Sequence, residues 1–193
     1  MKGIYLMNLP NTLSIIRLLL VPVFIIAFFC GGSDSYILAA LVYVLAEITD
    51  CLDGYIARRY NLVTKLGRIL DPLADKLMAF TVLVCIVIAS RVPVWAAVLF
   101  FIKEALMGLG AIIMYKRIDD VMPANYAGKI ANVVFFADCV ILMFDSSISQ
   151  QTATIMISVA LAVIYFAFFN YLIHFIAIVK KHRQIQPNDD KTN

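Results

Sequence analysis

The sequence predicts an all-α integral membrane protein with six transmembrane helices, a short N-terminal interfacial helix and both termini in the cytoplasm. Three observations lead to this fold class. Hydrophobic residues make up 63% of the 193-residue chain and charged residues only 15%, whereas soluble domains are about 45–50% apolar and about 25% charged. Apolar runs long enough to cross a bilayer recur along the whole chain. Lysine and arginine collect in alternate connecting segments.

The apolar runs define six spans, each close to the roughly 17–25 residues that cross the hydrocarbon core. Residues 7–14 (MNLPNTLS) precede most of the first run and suit a short interfacial helix. Residues 181–193 form a predicted polar cytoplasmic tail, which leaves residues 1–180 as one membrane domain. The predicted spans are residues 13–30, 36–53, 71–89, 94–114, 127–144 and 152–179.

The first span follows Lys2 and has the outline of a secretory signal peptide. Three polar residues, Asn11, Ser14 and Arg17, interrupt its apolar run. We therefore expect a helix that is retained in the protein. Arg17 lies about one turn into this span, a position that favours contact with a phosphate group or with the membrane interface.

The distribution of positive charge predicts the orientation in the membrane. Cations follow the second, fourth and sixth spans: Arg58, Arg59, Lys65, Arg68, Lys116, Arg117, Lys180, Lys181 and Arg183. Among the connections on the other side, only Arg91 breaks this pattern. By the positive-inside rule, both termini and the connection after the second span face the cytoplasm. The net charge of +3 is too small to indicate a nucleic-acid partner.

Four aspartates lie where the second and third spans meet the cytoplasmic interface: Asp50, Asp53, Asp71 and Asp75. The first two are three residues apart and the last two are four apart, so each pair shares one helical face. Span lengths place Asp53 and Asp71 at the interface and the other two about one turn deeper. We expect all four to form one carboxylate cluster.

Such a cluster needs compensation, because an aspartate inside a membrane costs about 2.5–3.5 kcal/mol and like charges repel. Two Mg²⁺ or Mn²⁺ ions would supply it, and metal pairs bridged by carboxylates clamp diphosphates. Arg58 suits phosphate recognition, and a partly free carboxylate can take a proton from an attacking hydroxyl. An ion-coupled transporter is the alternative, because acids also line ion pathways. The second half of the chain does not repeat the motif, which argues against a transporter.

The stretch from Asp50 to Asp75 fits D-x2-D-G-x2-A-R-x8-G-x3-D-x3-D without a gap. This pattern resembles the signature of the CDP-alcohol phosphotransferase family, a six-helix membrane fold. The opening NLPNTLSIIRLLLVP is similar to the family's bacterial glycerophospholipid branch. The resemblance implies transfer of a phosphatidyl group from CDP-diacylglycerol to an alcohol with release of CMP. It also implies a homodimer in a bacterial plasma membrane, with the active site on the cytoplasmic side.

The resemblance assigns a role to each residue of the motif. It implies that two ions of Mg²⁺ or Mn²⁺ bind to Asp50, Asp53, Asp71 and Asp75 and that Asp75 is also the catalytic base. It further implies a CDP-binding pocket formed by Asp50, Asp53, Gly54, Ala57, Arg58 and Gly67.

The acceptor depends on which branch of the family the chain resembles. The branch that uses glycerol 3-phosphate resembles R-E-F-x-V-x-G-L-R in the fourth span, followed by G-K-x-K-T. This chain has Lys103 and Glu104, then Ala111 at the second arginine, and later Gly128, Lys129, Ile130, Ala131 and Asn132. The segment VPVWAAVLFFIKEALMGLG is more similar to cardiolipin synthases, whose acceptor is phosphatidylglycerol.

We predict glycerol 3-phosphate as the acceptor, giving phosphatidylglycerophosphate, with phosphatidylglycerol and a cardiolipin synthase as the alternative. The candidate acceptor contacts are Arg17, Lys103 and Lys129. Lys103 and Glu104 are adjacent and so face different ways on a helix, and each is expected to have a separate partner.

Overall fold

The computed structural model describes residues 9–60, 67–117 and 126–185. Over these ranges the chain forms helices and one 3₁₀ turn, and no strand, as the sequence predicts. The helices are α1 (Leu9–Cys30), α2 (Ser35–Arg59), α3 (Gly67–Ile88), α4 (Val94–Arg117), α5 (Tyr126–Phe144) and α6 (Gln150–Ile185), with the 3₁₀ turn at Gly32–Asp34.

Each predicted span coincides with one of these helices. In the described part of the chain, α1, α2, α5 and α6 are long and apolar enough to cross a membrane. Their outward side chains are apolar: Ile26, Val133 and Phe166 are 61%, 65% and 67% exposed. Because water would disfavour such a surface and lipid would not, the chain is a multi-pass membrane protein.

Several helix ends differ from the prediction: α3 begins at Gly67 and not at residue 71, and α4 ends at Arg117 and not at residue 114. α1 begins at Leu9, so residues 9–12 are its first turn and not part of a separate interfacial helix; residues 1–8 lie outside the described part. α2 continues past Asp53 to Arg59. α6 continues to Ile185, so residues 181–185 are helical and not tail. An apolar run marks the limits of the hydrocarbon, whereas a helix continues through residues such as Arg, Lys and Gln, which have high helix propensity.

The core lies between the helices and is organised around Tyr43 of α2. Its ring centroid lies 6.4 Å from that of Phe24 in α1 and 5.0 Å from that of Phe136 in α5. On the same helix Ala39 and Ala46 are fully buried, and such small residues let helices approach closely without a cavity. This packing joins α1, α2 and α5 along the N-terminal half of α2.

The connections α1–α2, α3–α4 and α5–α6 meet at one end of the bundle, which we call the far end. The Arg91 guanidinium donates a hydrogen bond to the Asp145 carbonyl oxygen at 2.7 Å and lies 5.9 Å from the centroid of the Tyr36 ring. Side-chain and backbone hydrogen bonds from Ser147 hold the pKa of the Asp145 carboxyl below its usual value. Arg91, the exception to the charge pattern, thus ties the three connections together.

Gly31 closes the α1–α2 turn so tightly that a methyl group does not fit. A Cβ at this position would lie 2.7 Å from the Ala27 carbonyl oxygen and 2.7 Å from the Ser35 Cα. Both are backbone atoms, so we expect Gly31→Ala to open the turn and destabilise the protein by about 1–3 kcal/mol, as overpacking does. The measurement is the thermal unfolding midpoint in detergent. Gly108→Ala is the control, because nothing lies within 4 Å of its Cβ position. A midpoint of Gly31→Ala equal to that of the wild type would contradict the prediction.

Candidate active site

One face of α1 carries a buried row of polar side chains, which we call the α1 polar row. Asn11, Ser14 and Arg17 are 1%, 0% and 1% exposed. They are three residues apart, so they stack along one side of the helix. Polar groups are costly in lipid, and the row accordingly faces the C-terminal half of α2 and the start of α3.

Arg17 connects the two aspartates of α2. Its Nη1 forms an ion pair with Oδ1 of Asp50, and its Nη2 forms an ion pair and a hydrogen bond with Oδ2 of Asp53. The Asp53 side chain is 4% exposed and that of Asp50 is 39% exposed. Asp50 and Asp53 therefore lie on one face of α2, where the planar fork of a single guanidinium reaches both.

Ser14 makes the equivalent connection to α3. Its hydroxyl donates a hydrogen bond to Oδ1 of Asp71, and Asp75 lies half-buried about one turn further along the helix. The negative charge of Asp53 acts on that of Asp71, and the charge of Asp50 acts on that of Asp75. The four aspartates thus gather at the end of the bundle opposite the far end, which we call the site end.

Two lysines accompany Asp75. The Glu104 carboxylate pairs with Nζ of Lys103 at 2.5 Å through Oε1 and with Nζ of Lys76 through Oε2. The expectation of separate partners for Lys103 and Glu104 is therefore wrong: the flexible lysine side chain bends back to its neighbour. Both lysines also act electrostatically on the carboxylate of Asp75.

The remaining predicted residues are placed as follows. Gly54 lies on α2 beside Asp53, and Gly67 is buried as the first residue of α3. Lys129 is exposed in the first turn of α5. The side chains of Ala57, Arg58 and Ala111 lie outside the part that the structure describes.

Four residues around the aspartates were not singled out for this site from the sequence: Asn11, Ser14, Glu47 and Lys76. The regular spacing of Asn11, Ser14 and Arg17 in an otherwise apolar helix is the signal that could have found the first two. Lys76 directly follows Asp75.

The donor set fits a hard divalent cation. Carboxylate oxygens are the ligands that Mg²⁺ and Mn²⁺ prefer, and the contacts of Asp50, Asp53 and Asp71 with the α1 polar row each use one oxygen. The negative charge of the four aspartates also exceeds the single positive charge of Arg17, which favours binding of a further cation. Among the described residues, no three Asp, Glu, His or Cys side chains are arranged to hold one ion as they stand.

Comparison with known proteins gives a match over most of the chain. The family model described as CDP-alcohol phosphatidyltransferase matches residues 7–178. A Rickettsia felis protein named CDP-diacylglycerol--glycerol-3-phosphate 3-phosphatidyltransferase is 45% identical over 100 residues, which are 52% of this chain and 55% of that protein. A Bacillus subtilis protein of the same name is 35% identical over 136 residues, 64% of this chain and 69% of that protein.

A Mycobacterium tuberculosis protein named probable phosphatidylglycerophosphate synthase is also similar. It is 35% identical over 130 residues, which are 66% of this chain and 61% of that protein. The chain thus spans little more than half the length of the Rickettsia relative.

Proposed function

This chain belongs to the CDP-alcohol phosphatidyltransferase family, and from that premise we propose that it transfers the phosphatidyl group of CDP-diacylglycerol to glycerol 3-phosphate. The products are phosphatidylglycerophosphate and CMP. The names of the Rickettsia and Bacillus relatives support this acceptor. The observation that carries the proposal is the placement of Lys76 and Lys103 beside Asp75, because an acceptor with its own phosphate group needs positive charge next to the catalytic base.

The reaction is a displacement at phosphorus. The acceptor hydroxyl oxygen bonds to the phosphorus that carries diacylglycerol, and the bond from that phosphorus to the CMP oxygen breaks, so CMP leaves with the electron pair. Asp75 takes the hydroxyl proton as general base. Lys103 and Lys76 orient the acceptor phosphate and release Glu104 as they do so.

Asp50, Asp53, Asp71 and Asp75 would hold two ions of Mg²⁺ or Mn²⁺, whose chemistry is to neutralise the donor diphosphate and to stabilise charge on the departing CMP. Gly54, Ala57, Arg58 and Gly67 would complete the CDP pocket together with Asp50 and Asp53. Lys129 is a second candidate for the acceptor phosphate, because it lies at the site end of α5. Arg17 was a third candidate, and its burial between two aspartates favours a role toward those carboxylates instead.

The membrane arrangement that we propose has all six helices crossing the bilayer of a bacterial plasma membrane, with the site end on the cytoplasmic side. The cations that follow α2, α4 and α6 support this orientation. A site at the membrane interface also suits the donor, because its acyl chains remain in the bilayer while the nucleotide reaches water. A homodimer is part of the proposal and rests on the family resemblance alone.

The acceptor is tested by CMP release from detergent-purified protein with CDP-diacylglycerol and Mg²⁺. We expect glycerol 3-phosphate to drive release well above the rate without acceptor, and phosphatidylglycerol to leave that background rate unchanged. Release driven only by phosphatidylglycerol would make the protein a cardiolipin synthase. Ion flux in proteoliposomes without CDP-diacylglycerol, together with no CMP release for either acceptor, would identify a transporter.

A further inference from the structure

We propose that Arg17 is an internal counter-cation that holds Asp50 and Asp53 in the metal-free protein, and that a divalent cation must displace its guanidinium from these carboxylates. The inference rests on the proposed use of Mg²⁺ or Mn²⁺. It makes Arg17 a positioning residue of the site and a competitor of the metal ion.

The first support is the position of the guanidinium. Its two terminal nitrogens pair with two different carboxylates, Asp50 through Nη1 and Asp53 through Nη2. A metal ion that binds both aspartates needs oxygens from the same two groups. Since Arg17 is 1% exposed and the Asp53 side chain is 4% exposed, water screens the charge of this pair only weakly.

The second support is that the pairing is incomplete. Within the described residues, the buried Nε and Nη1 atoms of Arg17 have no hydrogen-bond partner, so charge attraction without hydrogen-bond geometry links Nη1 to Asp50. The free-energy cost of removing a guanidinium from water is offset in full only when each of its N–H groups donates a hydrogen bond. Arg17 therefore pairs with both carboxylates, but with fewer hydrogen bonds than a fully satisfied buried guanidinium would have.

The third support is that the described residues contain no preassembled set of three metal ligands. Two of the four aspartates are engaged by Arg17, and Asp71 is engaged by Ser14. The α1 polar row thus occupies one oxygen of each of these three aspartates. A metal ion that binds through these oxygens has to release them, and the Arg17 pairs are the charged contacts that oppose it.

Competition has a thermodynamic signature that a purely supporting role lacks. If guanidinium and metal ion exclude each other, removing the guanidinium destabilises the metal-free protein and strengthens metal binding, because binding is measured against the metal-free state. If Arg17 instead supports the metal-bound site, its removal weakens metal binding.

The experiment compares Arg17→Gln, Arg17→Lys and the wild type by thermal unfolding in detergent, first in EDTA and then over a titration with Mn²⁺. We expect both variants to unfold at lower temperature than the wild type in EDTA. We expect the Mn²⁺ concentration for half-maximal stabilisation to fall about tenfold or more in Arg17→Gln and less in Arg17→Lys, because an ammonium keeps the charge but lacks the planar fork. Arg91→Gln removes the same charge at the far end and should leave the Mn²⁺ response unchanged.

A Mn²⁺ requirement that is unchanged or increased in the Arg17 variants would overturn the inference, while Mn²⁺ stabilisation of the wild type would leave the proposed metal use standing. No Mn²⁺ stabilisation in any of the proteins would contradict both the metal use and the competition. If Arg17→Gln does not fold, Arg17→Lys decides the question: a lower Mn²⁺ concentration for half-maximal stabilisation than in the wild type supports the inference, and an equal or higher one overturns it.

Discussion

Asp75→Asn is expected to reduce CMP release by about a hundredfold or more, within the range of about 10²–10⁴ that a general base contributes. Asparagine has nearly the same shape but cannot accept the hydroxyl proton. Asp75 is half-buried on α3, with Lys76 and Lys103 acting on its carboxylate. It is thus placed between the negative charges of α2 and the cations that we assign to the acceptor.

The loss should be one of catalysis and not of folding. Asp75 lies among other carboxylates, so removing its charge relieves repulsion, and the thermal midpoint of the metal-free variant should equal or exceed that of the wild type. Asp145→Asn makes the same chemical change in an exposed residue at the far end and should retain the wild-type rate. Turnover of Asp75→Asn within a few-fold of the wild type would remove Asp75 as the base.

Chelation with EDTA is expected to abolish CMP release, and excess Mg²⁺ or Mn²⁺ should restore it. Without a bound cation, the diphosphate of the donor would have to approach four aspartates, and the guanidinium beside Asp50 and Asp53 is already paired. Like charges at close range in a low dielectric repel strongly. The assay compares EDTA with EDTA that is saturated with Mg²⁺, which controls for direct effects of the chelator.

The recovery is as informative as the loss. Because Arg17 and Ser14 hold the aspartates of α2 and α3 without metal, the chelated protein should remain folded and regain its rate when metal is added back. Activity that does not respond to chelation would contradict the metal proposal. Loss that added metal cannot reverse would instead show that the metal is needed for folding.

The sequence was sufficient to predict the helices and the gathering of the aspartates. Apolar runs locate each helix, and the spacing of Asp50 with Asp53 and of Asp71 with Asp75 fixes which side chains share a face. Depth follows from the rise of about 1.5 Å per residue. These are local properties, so they do not depend on how the helices are rotated against each other.

The partners of Arg17 could not be predicted in the same way. In a soluble helix, the contrast between polar and apolar faces shows which side is buried. Apart from the α1 polar row, the lipid-facing and core-facing sides of α1 are both apolar, so hydrophobicity alone does not show which helices the row contacts. The contact of Lys103 with Glu104 was missed for another reason, since long side chains reach neighbours that their Cα directions do not indicate.

The α1 polar row also bears on how the protein is made. Arg17 and Asp53 are 36 positions apart, and Ser14 and Asp71 are 57 positions apart. Since a chain is synthesised from its N-terminus, Arg17 is incorporated before any of these aspartates. The shortest nascent segment in which Arg17 can be neutralised by both of its partners extends past Asp53. The smallest insertion unit that contains Arg17 together with both of its partners is therefore the hairpin of α1 and α2, and not the first helix alone.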